Sequence, residues 1–547
     1  SKSEWKDNPA AILLRDLIHF YDRERKPKIF AYYERLEKTD VELLDDDSVI
    51  HEMTLISQST IDEKIHCVAR FENKQPVRKD KFDSATIKDA TEARVSNIEI
   101  IEIDQDYSQV SFTISAEQVQ ALQQCPLSLF GEEARINTET LENRLCDVAE
   151  SYIEKEELPK LLQTIVYKGN PRFKDNLLFL PISRNRYPDD EQYIQAIIDA
   201  VNALDESCLS IQGPPGAGKT YTASKIIQSL VGQGKRIGIM SNSHAAIMNL
   251  TKELIKTLPE TEIVKIGGYG NTQTAFEEEH KAALELPERH NFEYRPSMAF
   301  TKAKPYEQYQ IIGATVYGFS KPVCFDTPVD YLFIDEASQV ALANLIAVTG
   351  AAKNIILIGD QMQLEQPTQG AHPGSAGKSA LEYILNQQDV IPEDKGIFLE
   401  RTYRMHPAVC QPLSDVVYEG RLQADQYNQN QAIVIDNPKL ITKQNGILPI
   451  PVNHNGNDQS SLEEVDMVQQ LIDELRNGRF IDKHKQSKPL SDKDILVVSP
   501  YNMQVNLLKE KIKGDISIGT IDKFQGQEAP VVIISMAVSD VEESPRG

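Results

Sequence analysis

The chain has 547 residues, 40% of them hydrophobic and 26% charged, and its 82 acidic residues outnumber 58 basic ones for a formal net charge of −24. That length calls for about three or four domains, and the acidic balance excludes a surface that grips nucleic acid everywhere by charge, while leaving room for a local basic channel. No apolar run is long enough to span a bilayer, Ser1–Asp7 lacks a signal-peptide pattern, and the six scattered cysteines form no C-x-x-C pair, so a cytoplasmic chain with reduced thiols and no zinc site is expected.

Residues 8 to about 38 read as helical, because Leu13, Leu14, Leu17, Ile18 and Tyr21 recur at helical spacing. From about Ile50 to Ile114 the period changes to two. Ile98 and Ile100, then Ile101 and Ile103, alternate with polar residues, Asp104-Gln105-Asp106 offers a turn, and Val110, Phe112 and Ile114 alternate again. This predicts a small antiparallel β unit closing as a barrel. Helical spacing returns at Leu141, Leu145, Val148 and Tyr152, so residues 1–165 read as a helical stalk carrying a β-barrel accessory domain.

Beyond about residue 190 the pattern is α/β. Short apolar runs occur at Leu209–Ile211, Ile237–Met240, Ile311–Ile312, Tyr331–Ile334 and Ile355–Ile358, with a second set at Ile495–Val498, Ile516–Ile518 and Val531–Ile534. Near-continuous apolar strands indicate parallel sheets covered on both faces. Two sets predict two domains, 166–400 and 401–547. Residues 270–305 are polar, lack clear strand signals, and read as an insertion in the first.

Between the run at Leu209 and the helical stretch Tyr221–Leu230 lies Gly213-Pro214-Pro215-Gly216-Ala217-Gly218-Lys219-Thr220, which fits G-x-x-x-x-G-K-[ST]. Strand, glycine-rich loop and helix together form a triphosphate cradle. Its backbone N–H groups turn toward phosphate oxygens, Lys219 supplies charge to the β- and γ-phosphates, and the Thr220 hydroxyl is a Mg²⁺ ligand. The run Tyr331–Ile334 ends in Asp335-Glu336. At the edge of a parallel sheet, Asp335 is suited to hold Mg²⁺ and Glu336 to activate the attacking water. A lone Asp-Glu pair is more often a solvated strand end, and the phosphate loop upstream reverses that balance. Past Ile358, Gln363 is the candidate γ-phosphate sensor, though such an amide alone reads better as a surface turn. Arg404 or Arg401, in Glu400–Pro407, is placed to reach a γ-phosphate from a second domain. His406 reads as a packed or capping residue rather than a base. Gly374–Ser379 imitates a phosphate loop, but His372 stands where the first glycine belongs. No guanine-reading N-K-x-D occurs, which favours ATP over GTP.

In this order the segments resemble a superfamily 1 helicase, of the up-frameshift-like branch 1B, over roughly residues 190–547. Gly213–Thr220 resembles motif I, Ser241–Ala246 motif Ia, Asp335–Gln339 motif II, and Gly359–Leu364 motif III. Tyr403–Pro407 is similar to the branch's arginine-finger segment, which selects Arg404. Ser499–Gln504 and Gly519–Glu528 resemble motifs of the second RecA-like domain. The resemblance implies two RecA-like domains, ATP and Mg²⁺ as cofactors, and 5′-to-3′ movement on single-stranded DNA or RNA. It places Tyr403, Glu528 and Gln195 on the nucleotide, Gln195 standing one residue out of register with the adenine-reading glutamine. It places Ser241, Asn242, Thr315, Pro500, Tyr501 and Thr520 on the strand. Asp22–Pro27 and Leu43–Asp47 are similar to the helicase half of bacterial proteins with a RecB-like nuclease upstream, which implies a fused or associated nuclease as partner. The branch's motif VI, with a second arginine, should follow. The sequence ends at Ser544–Gly547 before it, so a chain truncated there, with impaired hydrolysis, is expected. A clamp or nuclease-regulating module that binds ATP without unwinding is the alternative; a metabolic kinase does not explain the later motifs.

Overall fold

The computed structural model describes residues 7–540 apart from 269–290 and positions 45, 62–63, 72–74, 76, 92, 105–107, 116, 119–125, 133–136, 178, 365 and 525. The centre of the turn expected at Asp104–Asp106, most of the expected insertion, and Ser544–Gly547 therefore lie outside the described residues. The chain divides into two compact units. One comprises residues 1–14, 144–367 and 378–547, and the other residues 15–143 and 368–377.

The stretch read as helical at residues 8–38 forms two helices, α1 (Pro9–Ile18) and α2 (Phe20–Glu37), and the second unit contains α2 and a closed antiparallel barrel of six strands. In chain order these are β1 (Val49–Ile61), β2 (Lys64–Arg70), β3 (Ser84–Asp89), β4 (Arg94–Asp104), β5 (Gln109–Ile114) and β6 (Leu127–Glu132), in the spatial order β1-β2-β5-β4-β3-β6. Ile98, Ile103, Val110, Phe112 and Leu129 fill its interior. The doubled phase of the isoleucines in β4 has a structural cause. Ile100 pairs with Phe112 and Glu102 with Ser111, so one extra residue bulges out. Ile98 and Ile103 are thereby both buried, while Ile101 is 53% exposed. A bulge shifts the period-two pattern by one residue and bends the strand, which helps a small barrel close.

The first unit is built on an eight-stranded sheet whose pairings are all parallel. Its strands are β7 (Cys208–Gln212), β8 (Ile237–Met240), β9 (Ile263–Ile266), β10 (Phe292–Arg295), β11 (Ile311–Ala314), β12 (Val329–Ile334), β13 (Ala352–Gly359) and β14 (Gly396–Phe398), ordered β10-β9-β11-β8-β12-β13-β7-β14. Residues of β7, β8, β9 and β11 are all buried, as strands covered on both faces require. The edge strand β10 falls in the stretch that lacks strand signals in sequence. Only Phe292 and Tyr294 carry an apolar face there, alternating with Glu293 and Arg295.

Residues 401–540 add the short pair β15 (Arg401–Thr402) and β16 (Gln423–Ala424), an antiparallel trio β17 (Ala432–Ile435), β18 (Gly478–Ile481) and β19 (Ser487–Pro489), and a parallel trio β20 (Ile495–Val498), β21 (Ser517–Gly519) and β22 (Val531–Ile534). The parallel trio matches the second set of apolar runs, and its core gathers Val497, Ile518 and Leu508 with Val468 and Ile472 from a packed helix. The antiparallel trio has no counterpart in the sequence reading.

Candidate functional site

The loop between β7 and helix α3 (Lys219–Gly232) sits at the carboxyl edge of the eight-stranded sheet. Its base is anchored where the Gly213 N–H donates to the Gly359 carbonyl at 2.9 Å. Gly216 and Gly218 take φ of 72° and 84°, a left-handed backbone that disfavours side chains. Space matters as much as torsion at Gly216, where a Cβ would strike the Arg404 side chain and lie 2.7 Å from the Thr402 hydroxyl. Lys219 donates from Nζ to the Gly213 carbonyl at 2.9 Å, which keeps its ammonium folded over the loop.

Asp335 and Glu336 follow β12 directly. Glu336 has φ of 51°, strained for a residue with a Cβ, and its N–H donates to Asp335 Oδ1 at 3.0 Å. The Asp335 carboxyl is pushed up to about 6, first by burial and then by the Glu336 charge, with Lys219 acting the other way. Among the described residues, the buried Glu336 Oε2 has no hydrogen-bond partner. A buried carboxylate oxygen left unsatisfied is costly unless something polar completes it. The residues thus fit the groups expected. Thr220 and Asp335 would hold Mg²⁺, which would neutralise phosphate charge, and Glu336 would hold the attacking water.

The segment after β14 runs against this loop. Thr402 Oγ1 donates to the Pro215 carbonyl at 2.8 Å, and the Tyr403 N–H donates to the Gly216 carbonyl at 2.9 Å. Asn428 braces the turn, its Nδ2 donating to the carbonyls of Thr402 and Met405 at 3.0 and 2.9 Å. Arg404 is ion-paired through Nε to Glu528, which lies between β21 and β22. His406 caps helix α4 (Pro407–Val417), its Nδ1 accepting from the Ala408 N–H at 3.0 Å, in keeping with a capping rather than a basic role.

Gln363 is held by motif III itself, donating from Nε2 to Asp360 Oδ2 at 3.0 Å. Gln195 is not drawn into this cluster. It is exposed on the helix Asp190–Asn202 and donates to Asp199 at 2.8 Å. Arg184, absent from the sequence reading, is there instead. Its N–H donates to Glu400 at 2.6 Å, its Nη2 to the Tyr403 hydroxyl at 3.2 Å, and its guanidinium lies 4.1 Å over the Tyr193 ring. No sequence pattern marks it, since the fold alone brings residue 184 to 403.

The expected strand contacts form two groups. Asn242 follows β8 and Thr315 follows the adjacent β11, and both line a cavity of about 320 Å³ with His244, Val316, Tyr317 and Asn344. Ser241 is buried, so its hydroxyl is not on that surface. Asn242 Nδ2 donates to the Gln339 carbonyl at 2.5 Å, joining motifs Ia and II. Pro500 and Tyr501 follow β20, and Thr520 follows the adjacent β21, with Val498 opposite Gly519.

Comparison with known proteins agrees with this layout. Profiles described as AAA domain match residues 197–369 and 376–545. DNA polymerase alpha-associated DNA helicase A of Schizosaccharomyces pombe is 26% identical over 382 residues, covering 61% of this chain and 56% of that protein. DNA replication ATP-dependent helicase/nuclease dna2 of the same yeast is 25% identical over 361 residues, 60% of this chain and 24% of that protein. DNA-binding protein SMUBP-2 of Rattus norvegicus is 25% identical over 382 residues, 60% and 38%. The chain thus spans between about a quarter and just over half the length of these relatives. An arterivirus nonstructural protein 10 helicase structure is 11% identical over 92% of this chain and 74% of that one, with a TM-score of 0.36, too low to argue from. Over 60 to 61% of its length the chain is thus similar to proteins named as a DNA helicase, a helicase/nuclease and a DNA-binding protein, and its two AAA-domain matches contain the phosphate loop and Asp-Glu strand end in the first and the arginine segment in the second.

Proposed function

We propose that the chain is an ATP-dependent translocase that steps 5′-to-3′ along single-stranded DNA or RNA and separates strands as it moves. The observation that carries this reading is the contact of Thr402 and Tyr403 with the phosphate loop, which sets Arg404 beside Gly216. A nucleotide on that loop would have Lys219, Thr220, Asp335 and Glu336 on one side and Arg404 with Glu528 on the other. Hydrolysis then changes what the two sides grip, and that change moves the surfaces after β8, β11, β20 and β21 against one another. Phosphates of the strand would meet Asn242, Thr315 and Thr520, and a base would stack on Tyr501.

Arg404 supplies positive charge to the phosphates as the bond to the leaving group weakens. Glu336 accepts the proton of the attacking water. The dna2 relative joins a helicase to a nuclease by name, and a fused or associated nuclease is the partner proposed here. Strand displacement on duplexes with a 5′ or a 3′ overhang tests the proposal. Unwinding that needs ATP and a 5′ overhang supports it. ATP-dependent strand binding with no displacement would instead mark a clamp.

A further inference from the structure

Asp360, the first residue after β13, is fully buried and gathers four donors. Its Oδ1 accepts from Gln212 Nε2 and from the Met362 N–H, both at 3.3 Å. Its Oδ2 accepts from Gln363 Nε2 at 3.0 Å and from the Tyr418 hydroxyl at 2.7 Å. The donors come from three parts of the machine, Met362 and Gln363 sharing one segment. Gln212 ends β7, directly before Gly213. Gln363 is the candidate γ-phosphate sensor. Tyr418 terminates α4, the helix that His406 caps two residues beyond Arg404.

From this geometry we infer that Tyr418 is a positioning residue for the sensor, tying the Arg404 segment to Gln363 through the shared oxygen of Asp360. The inference rests on the reading of this cleft as an ATPase site. A buried carboxylate needs its full set of donors. If Gln363 leaves Oδ2 to reach a γ-phosphate, Tyr418 is the donor that remains on that oxygen. The shorter bond belongs to Tyr418, and a hydroxyl on a carboxylate is the stronger partner. The tyrosine therefore lowers the cost of releasing the glutamine, and holds Asp360 in register with Gly213 while it swings. Tyr418 is buried and its ring lies 5.9 Å from that of Phe398, so the helix end cannot move without moving the hydroxyl.

The test is a double-mutant cycle on steady-state ATPase, with Tyr418→Phe and Gln363→Ala made singly and together. Y418F keeps the ring and removes only the hydroxyl. It is expected to lower kcat about tenfold, the usual worth of one hydrogen bond to a charged group, with KM for ATP unchanged within about twofold. It should also narrow the preference for a non-hydrolysable ATP analogue over ADP. In the double variant the two losses should fall well short of multiplying. A general weakening of the fold would add to Q363A and would leave the analogue-to-ADP ratio untouched. Multiplying losses, or a Y418F enzyme equal to wild type, overturn the inference. Should Y418F prove too unstable to assay, Asp360→Asn, which weakens the same acceptor, must show the same epistasis with Q363A, and multiplying losses there overturn it equally. Failure of the wild-type chain to bind either the ATP analogue or ADP would instead strike the underlying reading of the cleft.

Discussion

The Arg404 guanidinium is ion-paired to the Glu528 carboxylate, joining the segment that follows β15 to the loop before β22. Both residues were expected on the nucleotide by motif, and the structure shows them on each other. Glu528 is 65% exposed, so the pair itself adds little stability. Its consequence is for use of the arginine, which must exchange a carboxylate for a phosphate. Arg404→Ala should therefore lower kcat by about 10³-fold or more, with KM for ATP within about threefold. Arg404→Lys should recover little, because a point charge does not reproduce the planar fork. Steady-state ATPase kinetics decide this, and a lysine variant near wild type would remove the finger assignment.

Lys219 and Glu336 should separate binding from chemistry. Lys219→Ala removes the charge beside the phosphate loop and should abolish turnover along with most ATP affinity. Glu336→Gln keeps size and polarity, loses the base, and should bind ATP while turning over at less than about a hundredth of the wild-type rate. Nucleotide binding by calorimetry, alongside single-turnover hydrolysis, checks both.

Asp335 offers a pH test with a defined sign. Its carboxyl is pushed up to about 6, so the folded chain keeps a proton that the unfolded chain has released above its lower pKa. The stability this group contributes is present below about pH 4 and is lost as pH rises through about 6. Asp335→Asn removes that loss and should stabilise the chain by about 3 kcal/mol at pH 7, measured without Mg²⁺ or nucleotide. Melting temperatures from pH 4.5 to 8 should show the variant's advantage growing with pH, while its ATPase is abolished. An advantage independent of pH would mean that the carboxylate is not strained by its burial.

Tyr501, half-buried at the start of the helix Asn502–Lys511, is an aromatic residue that follows β20 and is proposed above to stack on a base. Tyr501→Ala should weaken single-strand affinity about tenfold, the usual worth of one stacked base, without changing the slope of log Kd against log salt. Fluorescence anisotropy at several salt concentrations reads both quantities. A changed slope would assign Tyr501 to the phosphates instead.

Five strands of the eight-stranded sheet, β7, β8, β11, β12 and β13, were legible because parallel buried strands announce themselves as apolar runs, while their spatial order was not. The barrel was legible for a similar reason, and even the bulge in β4 left its trace in the broken phase of Ile100 and Ile101. Strand β10 was hidden, since four residues with only Phe292 and Tyr294 apolar give too short a signal at a sheet edge. The antiparallel trio β17–β19 was hidden as well, because its strands are short and only half-buried or exposed. Around the phosphate loop, residues within a motif could be named from sequence and residues brought in by the fold could not. Arg184 reaches Tyr403, and Tyr418 reaches Asp360, over sequence separations that carry no pattern. Gln195, of suitable type near the suitable place, lies exposed on its helix and donates to Asp199.

The most direct measurement is the steady-state ATPase rate of the chain against rising concentrations of single-stranded DNA and single-stranded RNA of equal length, with Glu336→Gln as control. The account predicts a saturable rise of about tenfold or more with at least one of the two, and none in the control. A rate indifferent to both nucleic acids, or a rise that survives in Glu336→Gln, would contradict it.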